Sequence, residues 1–401
     1  LSNAKQFITI FLALGMLTLG GCATPSRLAA VPQESYLQAT VPGMADVRYF
    51  IDSDTESFVR DGLESFHREQ DHLKRIGHTG PLPPVSFLAI SGGGDNGAFG
   101  AGLLVGWTEA GDRPEFKAVT GISTGALIAP FAYLGPDYDP QLKEVYTTIK
   151  PADIFEPRGI LAALTDDGMA DNAPLWRLVR KHVDQSMLDA IAREHAKGRL
   201  LLVATTNLDA LQPVVWNVGA IAENGHPKAL DLIHSILIAS ASIPGAFPPV
   251  MIDVDVNGKP HQEMHVDGGA TAQVFVYPPS VNVKELTRKL GAERERKLYV
   301  IRNARLDPEW ASVERQTINI AGRSISSLIQ TQGIGDLYRI YLNAQRDGFD
   351  YKLAYIPSTF KEKHKEEFDT EFMQKLFDFA YQRARKGYTW ENVPPGFASA
   401  N

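Results

Sequence analysis

The pentapeptide Gly121-Ile122-Ser123-Thr124-Gly125 joins two apolar runs, FKAVTGI (116–122) and TGALIAPFAYL. A serine between glycines at the junction of a strand and a helix has a definite chemical use. The glycines relieve crowding around a tight turn, and the hydroxyl is left exposed above the sheet, free to attack a carbonyl carbon. As a bare pentapeptide, G-x-S-x-G is common by chance. Its place between a strand-like and a helix-like segment makes Gly121 and Gly125 the flanks of a nucleophile elbow, with Ser123 at its tip.

Upstream, FLAISGGGDNGAFGAGLL (87–104) is another apolar run that breaks into glycines and then turns helical. Gly92-x-Gly94-x-x-Gly97 fits two uses. In a dinucleotide fold such glycines let pyrophosphate approach backbone N–H groups, but an acidic residue must end the following strand. Here that strand ends in the elbow, so the dinucleotide reading loses. For a serine nucleophile, the same loop offers N–H donors to the oxyanion created by attack on an ester. Preorganised donors of this type contribute about 3–4 kcal/mol each. Gly92, Gly93, Gly94, Asp95 and Gly97 are the candidates for that loop, and a helix starting near Gly97 adds a favourable dipole.

The serine also needs a base. A serine triad on a parallel sheet runs Ser, Asp or Glu, then His along the chain. After residue 265 the sole histidine is His364, inside the charged run KEKHKEE, a poor place for a catalytic imidazole. His265, in EMHVDGGA, reads as a strand histidine satisfied by its neighbours. Asp267-Gly268-Gly269 follows the short strand MHV. A carboxylate there can reach into a cleft, and spacing alone leaves an ordinary Asp-Gly turn equally open.

These residues need a scaffold. Residues 54–76 carry apolar side chains at helical spacing, with Asp54 as cap. VSFLAI (85–90), a helix to about Gly111, FKAVTGI and the helix after it give strand–helix–strand–helix order, which predicts an α/β domain with a mainly parallel sheet. Later strands are expected at 199–208, 213–218, 249–254, 264–266 and 297–304. Helices are expected at 174–183, 186–197, 229–241, 311–346 and 368–386. KEKHKEEFD (361–369) reads as a solvated helix start. The segment SISSLIQTQGIGDLYRIYL (324–342) reads as core rather than a lipid-binding surface, and IFEPRGILAAL (154–164) as either a flap or acyl-chain wall, or a packed loop and helix start.

The chain has 401 residues and a net charge of −7, with no Lys/Arg-rich block, which argues against nucleic-acid partners. Near the start, FITIFLALGMLTLGG follows a lysine and ends at Cys22, the one cysteine of the sequence. The run is short for a membrane span but has the form of a secretory signal. LGGC resembles the lipobox of bacterial lipoproteins, which implies lipidation of Cys22, a tether from Ala23 and an anchor rather than a span. Ala23, rather than Asp, points to the periplasmic side of the outer membrane.

With these motifs in order, the sequence resembles the patatin-like phospholipase family over roughly residues 83–305. The matching stretches are SGGGDNGAFGAG, GISTG, ASASIPGAFPPV (239–250) and DGG. The resemblance implies a three-layer α/β/α fold and acyl-ester hydrolysis with no metal and no cofactor. It also implies Ser123 as nucleophile, Asp267 as its base with Gly268 and Gly269 completing DGG, and N–H groups around Gly93, Gly94 and Asp95 as the oxyanion hole. Many members carry Arg or Lys where this chain has Asn96, a change expected to loosen the loop or weaken attraction for anionic lipid. The expected organisation is a signal peptide (1–22), a tether and helical segment (23–82), a catalytic domain (83–305) and a C-terminal helical extension packed on it (306–401). The expected activity is a membrane-anchored phospholipase, lysophospholipase or lipid esterase. The competing expectation is a silent relative that binds lipid or a partner protein.

Overall fold

Side-chain alternation along the central strands decides the architecture. In VSFLAI, Leu88 and Ile90 join one buried cluster and Ala89 another; in KLYVIR, Tyr299 and Ile301 go one way, Leu298 and Val300 the other. Strands buried on both faces must have helices on both sides. A computed structural model describes residues 26–159 and 166–397; Cys22, the start of the tether and part of the 154–164 segment lie outside the described residues.

In chain order, β1 (Arg48–Phe50) and α1 (Thr55–Arg75) precede β2 (Val85–Ile90), α2 (Gly97–Ala110), β3 (Phe116–Ile122) and α3 (Thr124–Leu134). Helices α4 (Asp139–Thr148), α5 (Ala173–His182) and α6 (Gln185–His195) lead to β4 (Leu200–Asn207) and β5 (Gln212–Asn217). Then come α7 (Val218–Glu223), α8 (Ala229–Ser240), the hairpin of β6 (Val250–Val256) and β7 (Lys259–Asp267), and α9 (Val283–Lys289). The chain finishes with β8 (Arg296–Arg302), α10 (Thr317–Asp347), β9 (Asp350–Tyr355) and α11 (Thr370–Ala384).

The main sheet runs β1-β5-β4-β3-β2-β8-β9, and β7 pairs with both β4 and β6. From β4 to β9 the five strands are mutually parallel, as the element order predicts; β1, β5, β6 and β7 join antiparallel. One layer packs α2, α3, α6, α8 and α11 onto Leu88, Val119 and Leu201. The opposite layer packs the second half of α10, through Leu337, Ile340 and Ala344, onto Ala89, Val300 and Leu353. Asp54 accepts the Ser57 N–H at 3.1 Å, so the expected cap of α1 is present.

Three expectations need correction. Residues 306–401 are not a purely helical extension: β9 lies parallel to β8 in the same sheet, and β1 from the N-terminal segment pairs with β5. The DYKLAY strand follows directly on a long helix, and Asp350 and Lys352 interrupt its apolar run. KEKHKEEFD is not a helix start, since α11 begins only at Thr370, capped by Asp369. Finally, the first half of α10 is not core; residues 317–329 are exposed wherever they are described.

A buried polar trio ties β1 to β7. Arg48 forks onto Glu263, with Nη2 at 2.9 Å from Oε1, and Glu263 also receives His265 Nε2 at 3.0 Å. His265 Nδ1 meets Thr205 Oγ1 at 2.8 Å, so this histidine is satisfied by its neighbours. Burial alone would raise the Glu263 pKa, but Arg48 and His265 outweigh it and hold it at about 2. A depressed carboxyl stabilises the fold above its unfolded pKa and ceases to do so as pH falls through the folded one. Glu263→Ala is therefore expected to cost about 3–5 kcal/mol at pH 7, because Arg48 would be left buried and unpaired. Urea unfolding checks this, and the difference from wild type should shrink between pH 4.5 and 2.

Candidate active site

Ser123, directly after β3, has φ 56° and ψ −126°, a backbone conformation that residues with a Cβ seldom adopt. The turn is tight enough to exclude side chains on either flank. A Cβ on Gly125 would lie 2.2 Å from the Ile90 carbonyl oxygen, and one on Gly121 2.4 Å from that of Gly125. The Ser123 N–H donates to Ser240 Oγ at 3.0 Å, and that hydroxyl donates to the Ala204 carbonyl at 2.7 Å. The last residue of α8 thus pins the elbow to β4.

Strand pairing brings the acid to the serine. β3 pairs with β4 as far as Ile122 opposite Ala204, and then turns away at Ser123. The vacated edge of β4 is taken by β7, with Asp267 opposite Thr205. Ser123 Oγ donates to Asp267 Oδ2 at 2.6 Å, and Gly269 N–H donates to Oδ1 at 2.7 Å. Asp267 is 4% exposed. Burial pushes its pKa up, the hydrogen bonds from Ser123 and Gly269 pull it down, and burial prevails, leaving it at about 7.

The glycine loop divides in two. Gly92 N–H donates to the Gln273 carbonyl at 3.1 Å, and Gly97 N–H is turned back into the loop onto Gly94 and Asp95. Those two glycines shape the loop and are not free donors, which corrects their place among the oxyanion candidates. The N–H groups of Gly93, Gly94 and Asp95 donate to none of the described residues. Gly93 is compelled by packing, because a Cβ there would lie 2.1 Å from the Asn303 carbonyl oxygen. Gly268 lies beneath the dyad, close against the Ala204 carbonyl.

Four positions that spacing did not single out hold this arrangement. Ser240 has been described. Asn303 follows β8, is fully buried, and bonds Ser91 through its own N–H and Nδ2 and Gly100 through Oδ1. Gln273 Nε2 donates to the Gly269 carbonyl at 2.7 Å, while its N–H reaches Asp336 on α10 at 2.6 Å. His364 is distant in sequence but meets the loop: its Nδ1 lies 3.1 Å from Asp95 Oδ2, which also accepts the Phe368 N–H. Burial opposes protonation of His364, and Asp95 outweighs it, so its pKa is raised. A signal existed for Asn303, an amide directly after an apolar strand beside the glycine loop. None existed for His364.

Among the described residues, ligand atoms of Asp95, His364 and Glu367 lie within 4.8 Å of one another, the one grouping with the residue types to hold a metal. The Asp95 oxygen is engaged by His364 and Phe368 as it stands.

An acid whose folded pKa exceeds its unfolded value stabilises the protein at low pH and loses that contribution as pH rises through the folded pKa. Asp267→Asn removes the ionisation. The variant is expected to melt above wild type at pH 8 and close to it at pH 4, as calorimetry at the two pH values would show.

Residues 88–278 match the family model described as patatin-like phospholipase. No curated protein matches the chain. Among solved structures, the chain is similar to VipD from Legionella pneumophila, at 12% identity and TM-score 0.35, covering 77% of this chain and 68% of that one. It is also similar to the type III effector protein ExoU, at 15% identity and TM-score 0.21, covering 78% of this chain and 56% of that one. Likenesses that distant carry no argument about this fold or its chemistry. The family model described as patatin-like phospholipase thus spans both the elbow and the DGG turn.

Proposed function

We propose that this protein is a serine acyl hydrolase of membrane lipids, with Ser123 as nucleophile and Asp267 as its base. One observation carries the reading: a serine hydroxyl on a strained turn, 2.6 Å from a buried carboxylate, beside a loop with uncommitted N–H groups. Ser123 Oγ attacks the ester carbonyl carbon while its proton passes to Asp267 Oδ2. The oxyanion is met by the N–H groups of Gly93, Gly94 and Asp95. As the tetrahedral intermediate collapses, the ester C–O bond breaks and the leaving alcohol takes the proton from Asp267. A water molecule, deprotonated by the same carboxylate, then attacks the acyl-serine; the Ser123 Oγ–C bond breaks, Oγ takes the proton back from Asp267, and the fatty acid is released.

An ordinary Asp is a weak base toward a serine hydroxyl. Raising its pKa to about 7 narrows the gap to the alcohol while leaving a substantial ionised fraction at neutral pH. Lipidation at Cys22 would keep the enzyme beside its bilayer substrate, on the periplasmic side of the outer membrane. The lipobox-like LGGC and the following Ala23 support this placement.

Ser123→Ala and Asp267→Ala are each expected to lower fatty-acid release by about 10³-fold or more. The assay is a panel of phosphatidylcholine, lysophosphatidylcholine and a short-chain nitrophenyl ester; a tenth of wild-type turnover in either variant sinks the dyad. Because Asp267 must be ionised to accept the proton, kcat/KM should rise tenfold per pH unit below about 7 and level off above it. A flat profile from pH 5 to 8 would assign the base elsewhere.

A further inference from the structure

Among the described residues, no other helix or strand covers the first half of α10. Asp347 approaches Arg296 at the start of β8, whereas Gln332 reaches Thr271 and Gln273 beside the glycine loop. The helix therefore runs from the C-terminal end of the parallel strands to their N-terminal end. The residues before Gln332 must project beyond the C-terminal end, the end that bears Ser123. Residues 317–331 would extend about 22 Å in that direction.

That projecting half carries an exposed apolar stripe among small and uncharged polar residues. Ile325, Leu328 and Ile329 are exposed, Leu328 to 69%. With Gln332 and Asp336 they follow the i, i+3, i+4, i+7, i+11 pattern, so all five share one helix face. Gln332 donates to the Thr271 carbonyl at 2.6 Å, and Asp336 accepts the Gln273 N–H. The apolar stripe is thus the outward continuation of the face that holds the DGG turn. Trp310, 89% exposed, lies in the segment leading into the helix. From Thr317 to Gly335 there is one charged residue, Arg323, and its guanidinium reaches the Glu309 carbonyl. A large unpaired apolar surface of this kind needs a covering partner.

The start of the chain indicates which partner. Arg27 is forked onto Asp209, at 2.9 and 2.7 Å, just past the C-terminal end of β4. Four residues separate it from Cys22, so the five residue steps reach about 18 Å even when fully extended. An acyl anchor at Cys22 would hold this same end of the sheet against a bilayer.

We infer that the projecting half of α10, with Trp310, is a docking surface for an uncharged or zwitterionic phospholipid bilayer, overhanging the mouth of the Ser123 site. The inference rests on the hydrolase reading for the meaning of that mouth, but its test does not. Full-length chain bearing Cys22→Ser is mixed with vesicles of brominated phosphatidylcholine. Tryptophan fluorescence should be quenched, with less quenching in Trp310→Phe. A triple variant, Ile325→Asp, Leu328→Asp and Ile329→Asp, should bind the vesicles at least tenfold more weakly and hydrolyse them correspondingly more slowly. Its turnover of a monomeric nitrophenyl ester should stay within twofold of wild type.

Unchanged vesicle binding in the triple variant would overturn the inference, as would equal quenching with and without Trp310. Loss of soluble-ester turnover would make the helix a support of the site instead. A dimer in sedimentation velocity that the triple variant dissolves would place a second copy of the chain there. If Ser123→Ala retains soluble-ester turnover, the hydrolase reading fails while the quenching result still decides the docking surface.

Discussion

The site depends on a strand edge that changes partner. β4 continues three residues past the point where β3 leaves it, and those residues, Thr205 to Asn207, would present unpaired backbone groups if nothing replaced β3. Buried strand edges must be paired, so β7 fills the gap. Its final residue then arrives at the point where β3 ended. Ser123 and Asp267 meet because two chains share one edge end to end. The elbow, the Ser240 relay and the DGG turn all secure the two sides of that seam.

In the proposed mechanism, the same seam lets two residues do without an imidazole. A histidine matches a serine hydroxyl through an intrinsic pKa near neutrality. A carboxylate with no like charge beside it reaches a comparable value when water is withdrawn from it, and here burial does so. What the fold gains in basicity it loses in stability, because an ionised group is held in a poorly hydrated place. The charge is tolerated because Gly269 and Ser123 donate to its two oxygens. The buried acid at Glu263 meets the opposite solution: Arg48 holds it ionised, and it binds strands together with no proton to exchange.

Much of this was legible from one-dimensional pattern. The parallel core followed from the alternation of apolar runs with helical ones, and Ser123 from glycine spacing at a strand–helix junction. Asp267 was undecidable from its own neighbourhood, because DGG describes a plain turn as well as it describes a site; only its register opposite Thr205 separates the two. Gly92 and Gly97 looked like oxyanion donors because composition reveals conformational freedom, not which N–H groups are already engaged. Ser240, Gln273 and His364 act through contacts across long stretches of chain, and no local periodicity encodes them. The exposed half of α10 was misread for a related reason. Apolar residues at helical spacing signal an apolar face, and they carry no information about what lies opposite it.

The strand order bears on how the molecule is made. β2 lies between β3, its near neighbour in sequence, and β8, which begins at Arg296; β8 is bordered in turn by β9, which ends at Tyr355. A ribosome will have produced most of the chain before the middle of the sheet can close. Until then β2, apolar on both faces, has one open edge. Such nonlocal closure is slow and leaves sticky intermediates. The late arrival of β8 leaves the nascent chain with exposed apolar surface until synthesis is nearly complete, and truncations short of β9 should fail to fold.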